Sequence, residues 1–200
     1  MFKKLTVDKS YPYVLIVSGV IGIIASFILT LDKFKILQNP NYVPSCNLNP
    51  ILACGDVLKT HQGAAFGFPN PFIGLAAFAV LVTIGMGMLA GAKYKRWFHL
   101  GLQFGTILGL GFISWLFYQS LYNIHALCPY CMAVWVIVIT TFWYSLIFNI
   151  DHGFIKLNKE LKKYYPFVRK NHLDIILIFF LLLALFILNH FWYYFGKHLF

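Results

Sequence analysis

Four cysteines are the residues of this 200-residue chain best suited to chemistry: Cys46 and Cys54, with seven residues between them, and the pair in Cys128-Pro129-Tyr130-Cys131. A C-x-x-C whose first cysteine sits at a helix N-terminus favours a thiolate there, because unpaired backbone N–H groups and the positive end of the helix dipole face the sulfur. Pro129 suits the first helical position, where no N–H donor is needed, so the spacing predicts a helix starting at Cys128. Four thiols on one side of a membrane suggest electron transfer by thiol–disulfide exchange. The same residues also allow two structural disulfides or a zinc site, although Cys46 and Cys54 lack a usual zinc-finger spacing.

The elements that must position these thiols are membrane helices. The chain is 60% hydrophobic and 11% charged, against about half apolar and a quarter charged in an ordinary soluble domain. No charged residue occurs over 10–31, 62–92, 97–150 or 175–196. A span takes about 20 residues, so 97–150 must cross twice and turn near its most polar segment, 119–125. Within 62–92, Asn70 is suited to cap a helix opening at Pro71. The pattern predicts an all-α integral membrane protein forming a single membrane domain over 1–200. It has five spans, near 11–31, 71–91, 97–118, 128–149 and 174–195, with a cysteine loop over 32–70. The first apolar run is long enough to span and lacks a small-residue cleavage pattern, so it does not read as a cleavable signal.

Basic residues set the expected orientation. Lys3, Lys4, Lys9, Lys93, Lys95, Arg96, Lys156, Lys159, Lys162, Lys163, Arg169 and Lys170 fall in the head, second and fourth loops, against Lys33, Lys35, Lys59 and Lys197 opposite. This places the N-terminus in the cytoplasm, the C-terminus outside and all four cysteines at the outer, oxidising face. The net charge of +10 then reads as topology and anionic-lipid contact, with no nucleic-acid partner.

Cys46-x7-Cys54, Thr60 six residues on, Gly63, Phe66-Gly67, Asn70 and Cys128-x-x-Cys131 at the head of the fourth span together resemble the vitamin K epoxide reductase family. The resemblance covers about 140 residues, from the first span through the fourth. It implies a four-helix transmembrane bundle around a quinone pocket, to which the fifth span is an addition, as in bacterial members. It also implies a multi-pass protein of the bacterial cytoplasmic (inner) membrane. An outer loop would carry the shuttle cysteines, with a short helix over the pocket. The residues allow such a helix, with Asn49 as cap, Pro50 as opener and Cys54 riding on it.

The family mechanism would make Cys46 and Cys54 the shuttle and Cys128 and Cys131 the quinone-proximal pair, with Cys131 nearest the ring. A reduced partner attacks Cys46, the released Cys54 attacks Cys128, and electrons pass from Cys131 to ubiquinone or menaquinone. These exchanges need in-line approach, so the outer loop is expected to move. Thr60 and Asn70 resemble the family's quinone-contacting residues, although each also suits a helix end. Phe66 and Trp135, with Phe68, Phe112 and Trp115, are candidate pocket walls, and as aromatics they equally suit a membrane interface. His61 and His125 are candidate proton carriers, and Asp56 reads as a surface charge.

Two departures from the family pattern matter. Trp135 stands where vertebrate members have a tyrosine, which favours the bacterial role of oxidising a dithiol over reduction of vitamin K epoxide. The chain also ends at Phe200 without the thioredoxin-like domain that many bacterial members carry, which implies a separate DsbA-like thioredoxin-fold partner. DsbB-type oxidases place C-x-x-C first, the reverse of the order here. A membrane scaffold with two structural disulfides and a vitamin K epoxide or quinone reductase are the alternatives.

Overall fold

A computed structural model of the protein describes residues 7–192, 194 and 196. Both chain termini, with Lys3, Lys4 and Lys197 of the charge pattern, lie outside the described residues. Helices α1 (Val7–Gln38), α2 (Cys54–Lys59), α3 (Pro71–Leu89), α4 (Arg96–Gln119), α5 (Pro129–Asp151), α6 (Lys159–Lys170) and α7 (His172–His190) follow in order. A 3-10 turn, His61–Ala64, precedes α3, and a π-turn, Ser120–Ile124, extends α4.

Five helical segments, α1, α3, α4 with its π-turn, α5 and α7, are long and apolar enough to cross a membrane. The protein is an all-α, multi-pass membrane protein. The expected spans coincide with these helices, apart from α1, which continues beyond residue 31 to Gln38. Asp32-Lys33-Phe34-Lys35 contains no helix breaker, and the first comes at Asn39-Pro40, where the residue before proline is forced out of the α region. At 32 residues, α1 is about 48 Å long, longer than a hydrocarbon core of about 30 Å. Its last turns therefore carry Asp32, Lys33 and Lys35 beyond the core.

The chain divides into two compact units, Met1–Phe154 and Ile155–Phe200. In the first, α1 packs against α3 and α5, and α4 packs against α5. Small residues bring α1 and α3 close: a Cβ at Gly19 would lie 2.9 Å from Phe78 O, and one at Gly85 would lie 2.8 Å from Pro12 O. In a membrane such close approach, rather than exclusion of water, drives helix pairing. Buried polar groups add to it: Tyr11 donates to Ser145 Oγ at 3.3 Å, and Asn149 donates to Gln103 Oε1 at 3.2 Å. These tie α5 to α1 and α4.

The second unit comprises α6 and α7. Asn158 caps α6 by accepting from Lys159 N–H at 2.7 Å. No residue of α6 is buried, and the helix is strongly amphipathic.

Candidate functional site: a dithiol–disulfide centre above an apolar cavity

The loop after α1 folds by side-chain-to-backbone bonds. Asn49 does not cap a helix at Pro50, contrary to expectation. Its Oδ1 accepts from Ile51 and Leu52 N–H at 3.0 and 2.7 Å in a turn. Leu52 then forms an isolated parallel bridge with Leu127, in which Leu127 N–H donates to Ile51 O at 2.6 Å and Ala53 N–H donates to Leu127 O at 2.9 Å. That pairing engages backbone groups a helix over 50–53 would use. The helix therefore starts at Cys54, which opens α2 instead of riding within it.

At the other half of the site, Cys128 has extended backbone (φ −100°, ψ 117°) and N-caps α5, with Pro129 in the first turn, as the sequence predicts. Its sulfur accepts from Cys131 N–H at 3.3 Å. Cys46 and Cys54 are joined by a disulfide, whereas Cys128 and Cys131 are free thiols. The Cys128 thiol donates to Cys54 Sγ across 3.4 Å. Cys54 and Cys128 are 0% and 1% exposed, within an apolar cluster that includes Leu29, Ile36, Val57, Leu58 and Ala126. Cys46 is 6% exposed.

The Cys128 thiol is held below its ordinary range, first by the hydrogen bond from the Cys131 side chain. Burial opposes this, the backbone N–H groups of Cys131 and Tyr130 assist, and the charge of Asp32 opposes it. The helix N-terminus and the second thiol together outweigh desolvation. A sulfur in contact with a disulfide and biased toward thiolate is equipped for exchange. The expected loop motion is not needed to bring Cys54 and Cys128 together. It is needed to expose buried Cys46 to any second protein.

Beneath the sulfurs lies a cavity of about 560 Å³, bounded by α1, α3, α4 and α5 and almost wholly apolar. Cys131 borders it, as do Asn70, Trp135 and Phe112. Asn70 itself is helical (φ −53°, ψ −33°) and makes no side-chain cap bond to α3, because a capping residue needs extended backbone. Its side chain instead staples the loop, with Nδ2 donating to Gln62 O at 2.6 Å and Oδ1 accepting from Ala65 N–H at 2.9 Å.

Thr60 and Phe66 are not in the cavity lining. Thr60 caps the 3-10 turn, accepting from Gly63 N–H at 3.2 Å and donating to Val57 O at 2.7 Å. Phe66 is 62% exposed and sits beside Phe68 and Phe112, with ring centroids 6.4 and 5.6 Å away. His61, His125 and Asp56 are exposed. One residue without a motif, Asp32, is buried on α1 between Leu29 and Ile36, which pack in the cluster that holds the sulfurs. Its spacing from Leu29 and Ile36, three and four residues, is the signal that could have found it.

A sequence model of the vitamin K epoxide reductase family matches residues 13–146, well over half of the chain and including all four cysteines. No curated protein matches it.

Proposed function

The chain belongs to the vitamin K epoxide reductase family, a family of membrane oxidoreductases, and on that premise we propose that it is a quinone-dependent thiol oxidoreductase supporting disulfide formation. It would take electrons from a DsbA-like thioredoxin-fold partner through Cys46 and Cys54 to Cys128 and Cys131, and on to ubiquinone or menaquinone. One observation carries the reading: Cys128 Sγ lies 3.4 Å from Cys54 Sγ of the Cys46–Cys54 disulfide, while Cys131, three residues on, borders the apolar cavity.

In this reading a partner thiolate attacks Cys46 once the loop opens, Cys54 leaves, and the partner's second thiol displaces Cys46 as the partner's disulfide closes. Cys54 thiolate then attacks Cys128 of a Cys128–Cys131 disulfide, and Cys131 leaves. Cys46 attacks Cys54, and Cys128 leaves. The resulting bonding, with Cys46 joined to Cys54 and two free thiols at Cys128 and Cys131, is the one the structure contains. The cavity suits a flat apolar ring with an isoprenoid tail, because its walls are mostly apolar and its polar residues, Asn70 and Cys131 among them, are few. A bound quinone would supply the two-electron acceptor, with Cys131 as the thiol facing it and Trp135 as wall.

The orientation, with cysteines outward in a bacterial cytoplasmic (inner) membrane, is supported by the basic-residue bias. A scaffold held by two structural disulfides does not account for Cys128, an unbonded thiol in contact with a disulfide. The direct test mixes the detergent-purified chain with a reduced thioredoxin-fold dithiol protein and a short-chain quinone. Oxidation of the dithiol should require both chain and quinone, and should stop in Cys128→Ala. Equal rates with and without quinone would remove the reading.

A further inference from the structure

The cysteine end of the cavity carries a hydroxyl with nothing to bond. Ser120 follows α4 as its C-cap and opens the π-turn, and it borders the cavity together with Cys131 and Asn70. Hydroxyls within a helix readily return to the carbonyl four residues back. Thr30, Thr83, Ser114, Thr140 and Thr141 all do so here, at 2.7 to 2.9 Å. Ser120 does not. Its backbone N–H takes Leu116 O, and its side chain has no hydrogen-bond partner among the described residues. With Ser120 only 4% exposed, bulk water does not fill the gap, and an unfilled buried hydroxyl is costly.

The other polar groups around the cavity are engaged or one-sided. Thr106 and Thr141 donate to Gln103 O and Ile137 O at 2.8 and 2.7 Å. Ser26 lies against α3, where a Cβ at Gly74 would collide with its Oγ. Asn70 gives its carbonyl and one N–H to the loop, so what remains can only donate, and the Trp135 indole is likewise a donor only. A hydroxyl both donates and accepts. That difference matters to an acceptor whose oxygens change sense. The Cys128–Cys131 dithiol gives up two electrons and two protons as it closes to a disulfide, and a ring oxygen that accepted a hydrogen bond as a carbonyl then donates one as a hydroxyl.

We propose that Ser120 holds one ring oxygen of the quinone in both redox states, donating to the carbonyl before reduction and accepting from the hydroxyl after it. The proposal rests on the quinone reading of the preceding subsection. Its geometry follows from the chain. α4 packs against α5 and is joined to it through the short connection 120–128, so Ser120 and Cys131 share one end of the bundle and border the same cavity. A ring held at Ser120 therefore lies at the end where α5 begins and Cys131 faces the cavity wall. The π-turn that Ser120 opens is a local widening of the helix of the kind that recurs at functional sites.

The test reads the carbonyl itself. A short-chain quinone, isotope-labelled at its carbonyl carbons, is bound to the full chain oxidised at both cysteine pairs, where no thiol is left to reduce it. The infrared difference against unlabelled quinone isolates the bound carbonyl bands. The unmodified chain should show a band lowered in frequency by hydrogen bonding. Ser120→Ala should return that band to the unbonded position, Ser120→Thr, which keeps a hydroxyl, should retain the shift, and Trp135→Phe should leave it in place. Calorimetric titration of the oxidised chain with quinone, and of the reduced chain with quinol, should show affinity falling about fivefold for each in Ser120→Ala, the loss of one neutral hydrogen bond. A loss confined to quinone would mean a contact that only donates and overturns the proposal. So does a lowered band that persists in Ser120→Ala, or one that Trp135→Phe alone removes. Failure of Ser120→Ala to fold would assign the hydroxyl to the protein and overturn it as well. Absence of bound quinone in the unmodified chain would sink the quinone reading itself, and the Ser120 assignment with it.

Discussion

Leu52 and Leu127 form a parallel backbone bridge, and that bridge sets the register in which Cys54, two residues after Leu52, meets Cys128, one residue after Leu127. The loop and the head of α5 are distant in sequence, and two N–H···O bonds at 2.6 and 2.9 Å hold them together. Leu127→Pro removes the donor to Ile51 O. Transfer between the cysteine pairs should fall about tenfold or more, because exchange depends on near-contact geometry. The Cys46–Cys54 disulfide should still form, since it closes within the loop. Non-reducing peptide maps and quench kinetics on one preparation measure both.

Cys131→Ala should trap a Cys54–Cys128 bridge. Without Cys131, the Cys128 sulfur has only the disulfide 3.4 Å away to react with, and the product can revert only by attack of the freed Cys46, so a standing share of Cys54–Cys128 should accumulate. Mapping after alkylation should show Cys54 joined to Cys128 and Cys46 free. A Cys46–Cys128 bridge would reverse the shuttle order.

Much of this arrangement was legible in the sequence. Charge-free runs marked all five spans because bilayer thickness sets their length, and Cys128-Pro129 marked the head of α5 through proline's fit to a first helical turn. What stayed hidden depends on distant partners. Asn49 and Asn70 both suit helix caps, yet each satisfies a loop through backbone groups whose positions only the fold supplies. Leu52 could not be read as a bridge residue without knowing where Leu127 lies. Asp32 looked like the end of a span, because an apolar window ends at the first charge whether or not the helix does.

The ionisation of Cys128 should separate it from an ordinary cysteine. Its thiol is held low, chiefly by the Cys131 side chain, so thiolate absorbance near 240 nm should develop below the usual cysteine range of about 8.5. With Cys46 and Cys54 both replaced by alanine, so that Cys128 cannot enter the trapped bridge, adding Cys131→Ala should move the onset up. The linkage sign follows: a group whose folded pKa is depressed contributes stability above its unfolded value and loses it as pH falls through the folded one. Cys128 should therefore contribute stability to the unmodified chain as pH rises through its folded value toward the ordinary cysteine range, and that contribution should vanish on acidification. Parallel titrations with identical onset would contradict the assigned cause.

Gly105 tests the cavity apart from the sulfurs. It borders the cavity on α4, and a Cβ there meets nothing within 4 Å. The Cβ of a leucine therefore has open space, with the cavity beside it to take the rest of the side chain, and replacing a helical glycine adds about 1 kcal/mol of helix stability. Gly105→Leu should fold as well as the unmodified chain and exchange disulfides between the pairs at the same rate. Its half-saturating quinone concentration should rise by about tenfold, as a filled apolar site loses contact area. An unchanged quinone dependence would place the acceptor elsewhere.

The last expectation concerns α6, where the sequence's basic bias acquires a shape. On a helical projection Leu161, Tyr164, Tyr165 and Val168 share one side, while Lys159, Lys162, Lys163, Arg169 and Lys170 occupy the opposite arc. With an apolar strip, a basic arc and no buried residue, the helix suits the plane of an anionic bilayer surface. Each basic residue held there is worth about 1 kcal/mol. The full chain purified in mild detergent should retain anionic phospholipid, countable by mass spectrometry, and should release it near 1 M salt, where the screening length is about 3 Å. The triple variant Lys159→Glu, Lys162→Glu, Lys163→Glu should keep neutral lipid and lose most of the anionic lipid. Equal retention of anionic lipid by the variant would mean that the charge on this helix records orientation alone.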